Sequence, residues 1–173
     1  MVEIINTYRQ SVPAMRFIGK KYGDSDRING NFGAKWGEWF NNGWFAAIEK
    51  QISVGIKEIY DDGDAYIGLM RWKDGEPFEY WIGIFTPENT PVLEGFGHID
   101  FPKSELGVCW VYGKEGDVYF KEDKCAEKLG KKGYKIISDE KVAWWFFERY
   151  GCPRFSTPDA QGNIILDICH YIE

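Results

Sequence analysis

Histidine is nearly absent from this chain: His98 and His170 are the only two among 173 residues. A histidine-based catalytic triad or a multi-histidine metal site has little to draw on. Cysteine is scarce too. Cys109, Cys125, Cys152 and Cys169 are widely spaced, with no Cys-x-x-Cys, and read as free thiols. Cys152, in Gly-Cys-Pro, reads as a buried small residue. No phosphate-binding G-x-x-x-x-G-K-[ST] occurs, and Gly30, Gly33 and Gly37 do not follow a strand as a dinucleotide fingerprint requires. No run approaches the ~18 uncharged apolar residues of a membrane span. Residues 1–10 carry Glu3 and no apolar stretch, unlike a signal peptide. Positive charge is also in deficit. The 21 basic and 27 acidic residues give a net charge of −6, which argues against nucleic acid as a direct partner. The expectation is a cytoplasmic chain without metal, cofactor or membrane contact.

Aromatic rings, in contrast, are abundant: eight Trp, ten Tyr and twelve Phe. Hydrophobic residues make up 44% and charged residues 28%, as in an ordinary globular domain. A chain of this length buries ~70% of its unfolded surface and needs no staple. The rings in excess of what a core requires are the best functional clue in the composition.

Along the chain, 12–22 reads as a strand. From Phe32 the apolar positions Phe32, Trp36, Trp39 and Phe40 fall at helical spacing, and Trp44, Phe45 and Ile48 continue past an Asn-Asn-Gly break. Residues 65–72 and 78–86 read as strands joined at Asp74-Gly75. Thr86 to Gly95 is rich in turn formers. The order then recurs: one long strand over 96–113 containing Pro102, a helix from Asp117 to about Lys131, and strands over 142–150 and 163–172. Two local matches support a repeat: Pro13 to Gly23 with Pro102 to Gly113, and Met70-Arg71-Trp72 with Glu148-Arg149-Tyr150. The expected fold is α+β. It comprises two pseudo-symmetric strand–helix–strand–strand modules, about 12–86 and 96–172, joined by a linker at 87–95. The sheet is mainly antiparallel, with helices on one face and a cleft between the modules. Turning one module onto the other is expected to bring Met70 near the place of Glu148.

The VPAMRFIG opening, LGVCWVYG at 106–113 and the strand-borne FERY at 147–150 resemble the GyrI-like small-molecule-binding domain, over about 12–172. That family supplies effector-binding domains to multidrug-sensing and AraC-type bacterial regulators, and also stands alone. The resemblance implies a ligand cleft between two modules, with the Glu of the FE-x-Y strand, here Glu148, at that cleft. The segment before Val12 is too short for a helix-turn-helix, so a stand-alone member without a DNA-binding domain is expected.

Alternate residues of a strand share a face. Trp144, Phe146, Glu148 and Tyr150 therefore point one way, and Trp145, Phe147 and Arg149 the other. A carboxylate among three rings loses hydration unless something compensates. A cationic ligand could do so, with cation–π help from the rings. So could Arg16, Arg71 or Arg154, or solvent at a sheet edge. Tyr66, Met70 and Trp72 occupy the matching face of the first module. Trp110 and Tyr112 share a face with Val108, on a strand expected next to FERY, and one of them is expected to line the cleft. Of Trp36 and Trp39, one belongs to the core and the other covers the cleft; Trp39 joins the candidate set.

The first functional expectation is a module that senses or sequesters hydrophobic, planar, cationic compounds. The second is a hydrolase of cyclopropanoid or similar strained electrophiles, with Glu148 orienting or deprotonating water. The third is a gyrase-inhibitor-like interaction protein, acting through an outer acidic surface.

Overall fold

A computed structural model describes residues 1–54, 56–138 and 141–173. Eight strands form one antiparallel sheet: β1 (Glu3–Val12), β2 (Met15–Tyr22), β3 (Tyr66–Trp72), β4 (Glu79–Pro87), β5 (Gly97–Phe101), β6 (Ser104–Gly113), β7 (Trp144–Tyr150) and β8 (Ile164–Ile172). Their order is β1-β6-β8-β7-β3-β4-β2-β5. Helices α1 (Gly33–Asn42) and α2 (Trp44–Glu49) connect β2 to β3, and α3 (Glu115–Val118) and α4 (Glu122–Lys131) connect β6 to β7. The fold is α+β, as expected. None of the helices among the described residues is long and apolar enough to cross a membrane.

The strand order is symmetric about the β3–β7 pair. β3 and β7 have equal length, and their ladder is centred on Leu69 opposite Phe147. A half-turn about that centre carries Met70 onto the place of Glu148, and β4, β2 and β5 onto β8, β6 and β1. The outer strands are exchanged: β1, which leads into β2, pairs with β6, while β5, which leads into β6, pairs with β2.

That exchange bends the sheet. β1 lies at one edge and β2 beside the other, yet Val12 and Met15 are only three residues apart. Three residues span at most ~11 Å. Phe101 and Ser104 impose the same limit on β5 and β6. The sheet must therefore curl until its margins approach. Phe17, Phe85, Phe147, Tyr171, Leu106 and Val108 pack together on the face opposite α1 to α4. The other face carries two separate clusters. Trp39, Phe45 and Ile48 pack with Met70, Ile82 and Phe146, and Cys125 and Leu129 pack with Cys109, Leu166 and Ile168.

Local chemistry explains the breaks. Gly43, at φ 65°, takes the left-handed conformation that ends α1 and restarts the chain as α2. Residues 102–103 turn the chain, so the single strand expected over 96–113 is two. Proline offers no N–H to a ladder, and the halves join different neighbours. The helix expected from Asp117 is likewise split. Phe120, at φ 59°, reverses the backbone after α3, and α4 begins at Glu122. β1 was not anticipated: its Glu, Asn, Arg and Gln suit a solvated edge strand and mask the pattern of a buried one.

Candidate ligand-binding site

Glu148 lies on the helix-bearing face of β7, near Trp36 of α1 and Glu122 of α4. It is 6% exposed. Gly68 of β3 pairs with it across the ladder, and a Cβ on Gly68 would lie 2.5 Å from the Tyr80 hydroxyl and 3.4 Å from Glu148 Oε2. The missing side chain is what leaves room for the carboxyl and the Tyr80 ring on one floor.

Hydroxyl and indole donors lie around this carboxyl. Tyr150 Oη donates to Glu148 Oε2 at 2.6 Å. Burial and the nearby charge of Glu148 hold the Tyr80 hydroxyl well above its ordinary range. Trp36 Nε1 of α1 in turn donates to Tyr80 Oη at 3.0 Å. Rings close the space. Phe32 stacks on Tyr80 at 4.2 Å, and Trp36 meets Tyr150 edge-on at 4.8 Å. Tyr119, between α3 and α4, is near enough to feel the charge of Glu148.

The second acid is Glu122, in the first turn of α4, whose side chain hydrogen-bonds Glu148. Burial pushes the Glu148 carboxyl up to about 8; the charge of Glu122 adds to this, and the Tyr150 hydroxyl opposes it. Burial also raises Glu122. Two carboxyls in such contact and away from water do not both stay ionised. Among the described residues no ion pair reaches Glu148. The three arginines considered as partners are engaged elsewhere: Arg16 with Asp100, Arg71 with Glu76, and Arg154 with Asp167 and Asp62.

His170 of β8 fixes the start of α4. Its Nδ1 accepts from Trp144 Nε1 at 3.2 Å, so Nε2 carries the proton and donates to the Glu122 carbonyl at 3.1 Å. Burial lowers His170 to about 4, and the ring is neutral.

The structure gathers Tyr150, Phe146, Met70 and Tyr66 around Glu148: the first two flank it along β7, the others flank Gly68 on β3. Trp72 and Trp144 face each other at the far end of that ladder, and Trp72 is 48% exposed. Three candidates fall outside. Trp110 and Tyr112 lie on the opposite face, because Cys109 and Val111 take the helix side of β6. Moreover, β8 and not β6 is the neighbour of β7. Trp110 packs against Tyr8 and under Arg154, while Tyr112 donates to Asp159. Trp39 is fully buried, bonded to the Tyr22 hydroxyl, and is the core member of its pair; Trp36 is the one at the cleft. Cys152 is exposed, contrary to expectation.

Tyr80, Tyr119 and Glu122 were missed. Tyr80 sits at an inward position of a strand that was recognised, so it was reachable. Glu122 was not: an acid in the first turn of a helix is ordinary pairing with the helix dipole.

No family model matches the chain, and no curated protein matches it. Solved structures do. SAV2435, solved bound to tetraphenylphosphonium, matches with a TM-score of 0.66 at 15% identity, over 98% of this chain and 94% of that one. A protein from Staphylococcus aureus MU50, described as a putative bacterial transcription regulation protein, gives 0.64 at 14%, over 97% and 98%. The EcmrR C-terminal domain gives 0.51 at 8%, over 97% of each chain. The fold is thus that of the domains the GyrI-like resemblance implies.

Proposed function

We propose that this chain is a small-molecule-binding module of the effector-domain kind, and that it holds a lipophilic cation against Glu148. The observation that carries this reading is a carboxyl, almost wholly buried, beside the rings of Tyr80 and Tyr150 and with no ion pair among the described residues. Burying a carboxyl so completely costs stability unless a cation or a proton compensates. The binding of a phosphonium by SAV2435, which shares the fold, supports the reading. Trp36 and Tyr119 are both half-buried, and on this reading they turn aside to admit the ligand. Glu148 then supplies charge while Tyr80, Tyr150 and Trp36 supply apolar area and cation–π attraction. A hydrolytic role with Glu148 as base needs the ionised form, which the site disfavours below about pH 8.

The test compares tetraphenylphosphonium with the neutral triphenylphosphine oxide at pH 8.5. Glu148→Gln is expected to weaken phosphonium binding about 10- to 100-fold, the scale of a lost charged contact. The neutral compound is expected to lose less than about threefold. Equal losses for both compounds would contradict the reading.

A further inference from the structure

We infer that Glu148 and Glu122 form a proton-exchange pair, and that a permanent cation enters the site by expelling the one proton the two carboxyls share. This deepens the reading proposed above and rests on it.

Glu148 is at the floor, on β7, and Glu122 at the rim, half-buried in the first turn of α4. Their side chains are in direct hydrogen-bond contact. Two carboxylates at that separation cannot both stay ionised away from water, so one proton is held. The pair then carries one negative charge. A ligand with one permanent positive charge makes the ionised form of Glu148 favourable, and the O–H bond breaks. The proton passes from the Glu148 carboxyl to Glu122 and out to water. The pair now carries two negative charges and the ligand one positive, so the net charge of the site is conserved through the exchange.

The groups around the pair do not offer another source for that proton. From β7, Tyr150 donates to Glu148, and from β4, Tyr80 stands behind it; burial holds both phenols well above their ordinary range. Between α3 and α4, burial and Glu115 raise Tyr119. From β8, His170 is already neutral and donates to the Glu122 backbone. From α4 and the residue before it, Asp123 raises Glu122 while Lys121 lowers it. The Lys121 ammonium is itself directed to the Tyr119 carbonyl at 2.8 Å. α1 contributes Trp36, which does not titrate.

The exchange has a consequence for ligand class. A phosphonium or quaternary ammonium has no proton to give or take, so its binding is coupled to pH through the protein alone. An amine that arrives neutral can instead accept the shared proton, and nothing is released.

Calorimetric titration of the full chain with tetraphenylphosphonium, in two buffers of different ionisation enthalpy, counts the protons. At pH 7 release is expected to be about one proton per ligand, falling towards zero above about pH 9. Affinity is expected to rise up to about tenfold between pH 6 and 7 and to level off above about pH 8. In Glu122→Gln the inflection is expected at lower pH, because the neighbouring charge is gone and the amide donates to an ionised Glu148. Binding with less than about 0.2 protons released at pH 7 overturns this inference and leaves the ligand reading intact. An unmoved inflection in Glu122→Gln overturns the role of Glu122. Failure of the phosphonium to bind at any pH up to 9 overturns the ligand reading, and the inference with it.

Discussion

Glu148→Gln is expected to make the protein more stable at pH 8 and to leave its stability unchanged at pH 4. The folded-state carboxyl titrates near 8, well above the 4.5 of an unperturbed Glu. A carboxyl shifted upwards contributes its stability in full below the unfolded value. That contribution is lost as pH rises through the folded one, because the unfolded chain releases the proton first. Between about pH 4.5 and 8 wild type therefore loses stability through this one group. Glutamine keeps the shape, accepts from Tyr150 and has no proton to lose. Since Glu148 is buried and its shift is shared with Glu122, about 2–4 kcal/mol is a reasonable scale at pH 8. For a domain of this size that corresponds to a rise in Tm of about 5–10 °C. His170 acts with the opposite sign. Its value is lowered to about 4, so its contribution is complete above 6.5 and is lost as pH falls towards 4. Thermal melts of both proteins across pH 4–9 are the check. A Gln variant no more stable than wild type at pH 8 would contradict the raised carboxyl.

Arg149→Met is expected to be the most damaging single change outside the site. Arg149, adjacent to Glu148 on β7, points to the opposite face and is fully buried. Its guanidinium donates to Asp167 at 2.8 Å, to Gln10 at 2.7 Å and to Tyr8 at 3.3 Å, and lies 3.5 Å from Asp62. Arg154 shares both acids. These contacts tie β1, β7, β8 and the loop before β3 together inside the curled sheet. Removing the arginine leaves Asp167, also fully buried, with half its compensation. Breaking such a pair costs about 3–5 kcal/mol, or roughly 10 °C in Tm. Pairing the change with Asp167→Leu is expected to recover part of the loss, since no buried charge is then stranded on Asp167. A shift below about 2 °C in the single variant would show that the network contributes little.

Much of this was legible in the sequence, for identifiable reasons. Period-two alternation alone separated Glu148 and its rings from Arg149. Turn chemistry placed the β3–β4 hairpin at Asp74-Gly75 and the break between α1 and α2 at Gly43. The recurring order of elements anticipated the symmetry about β3 and β7. What periodicity cannot supply is which face of a strand meets which layer, or which strands are neighbours. For that reason Trp110 and Tyr112 were assigned to the cleft and lie on the other side of the sheet. The edge exchange of β1 and β5 was invisible for a related reason: it is a long-range pairing with no local signature. Glu122 became part of the site only because Phe120 breaks the helix there, and a phenylalanine with positive φ leaves no mark in the sequence pattern.

A lipophilic cation is expected to bind against the buried Glu148 carboxyl. A crystal structure of the full chain with tetraphenylphosphonium tests it most directly. The phosphorus is expected within about 6 Å of the rings of Trp36, Tyr80 or Tyr150, with the Glu148 carboxyl the nearest anion and Trp36 turned from its bond to Tyr80. A phosphonium bound beside Trp110 and Tyr8 on the opposite face, or in the hollow lined by Ile52, Ile56 and Ile84, with Glu148 still closed, would contradict it.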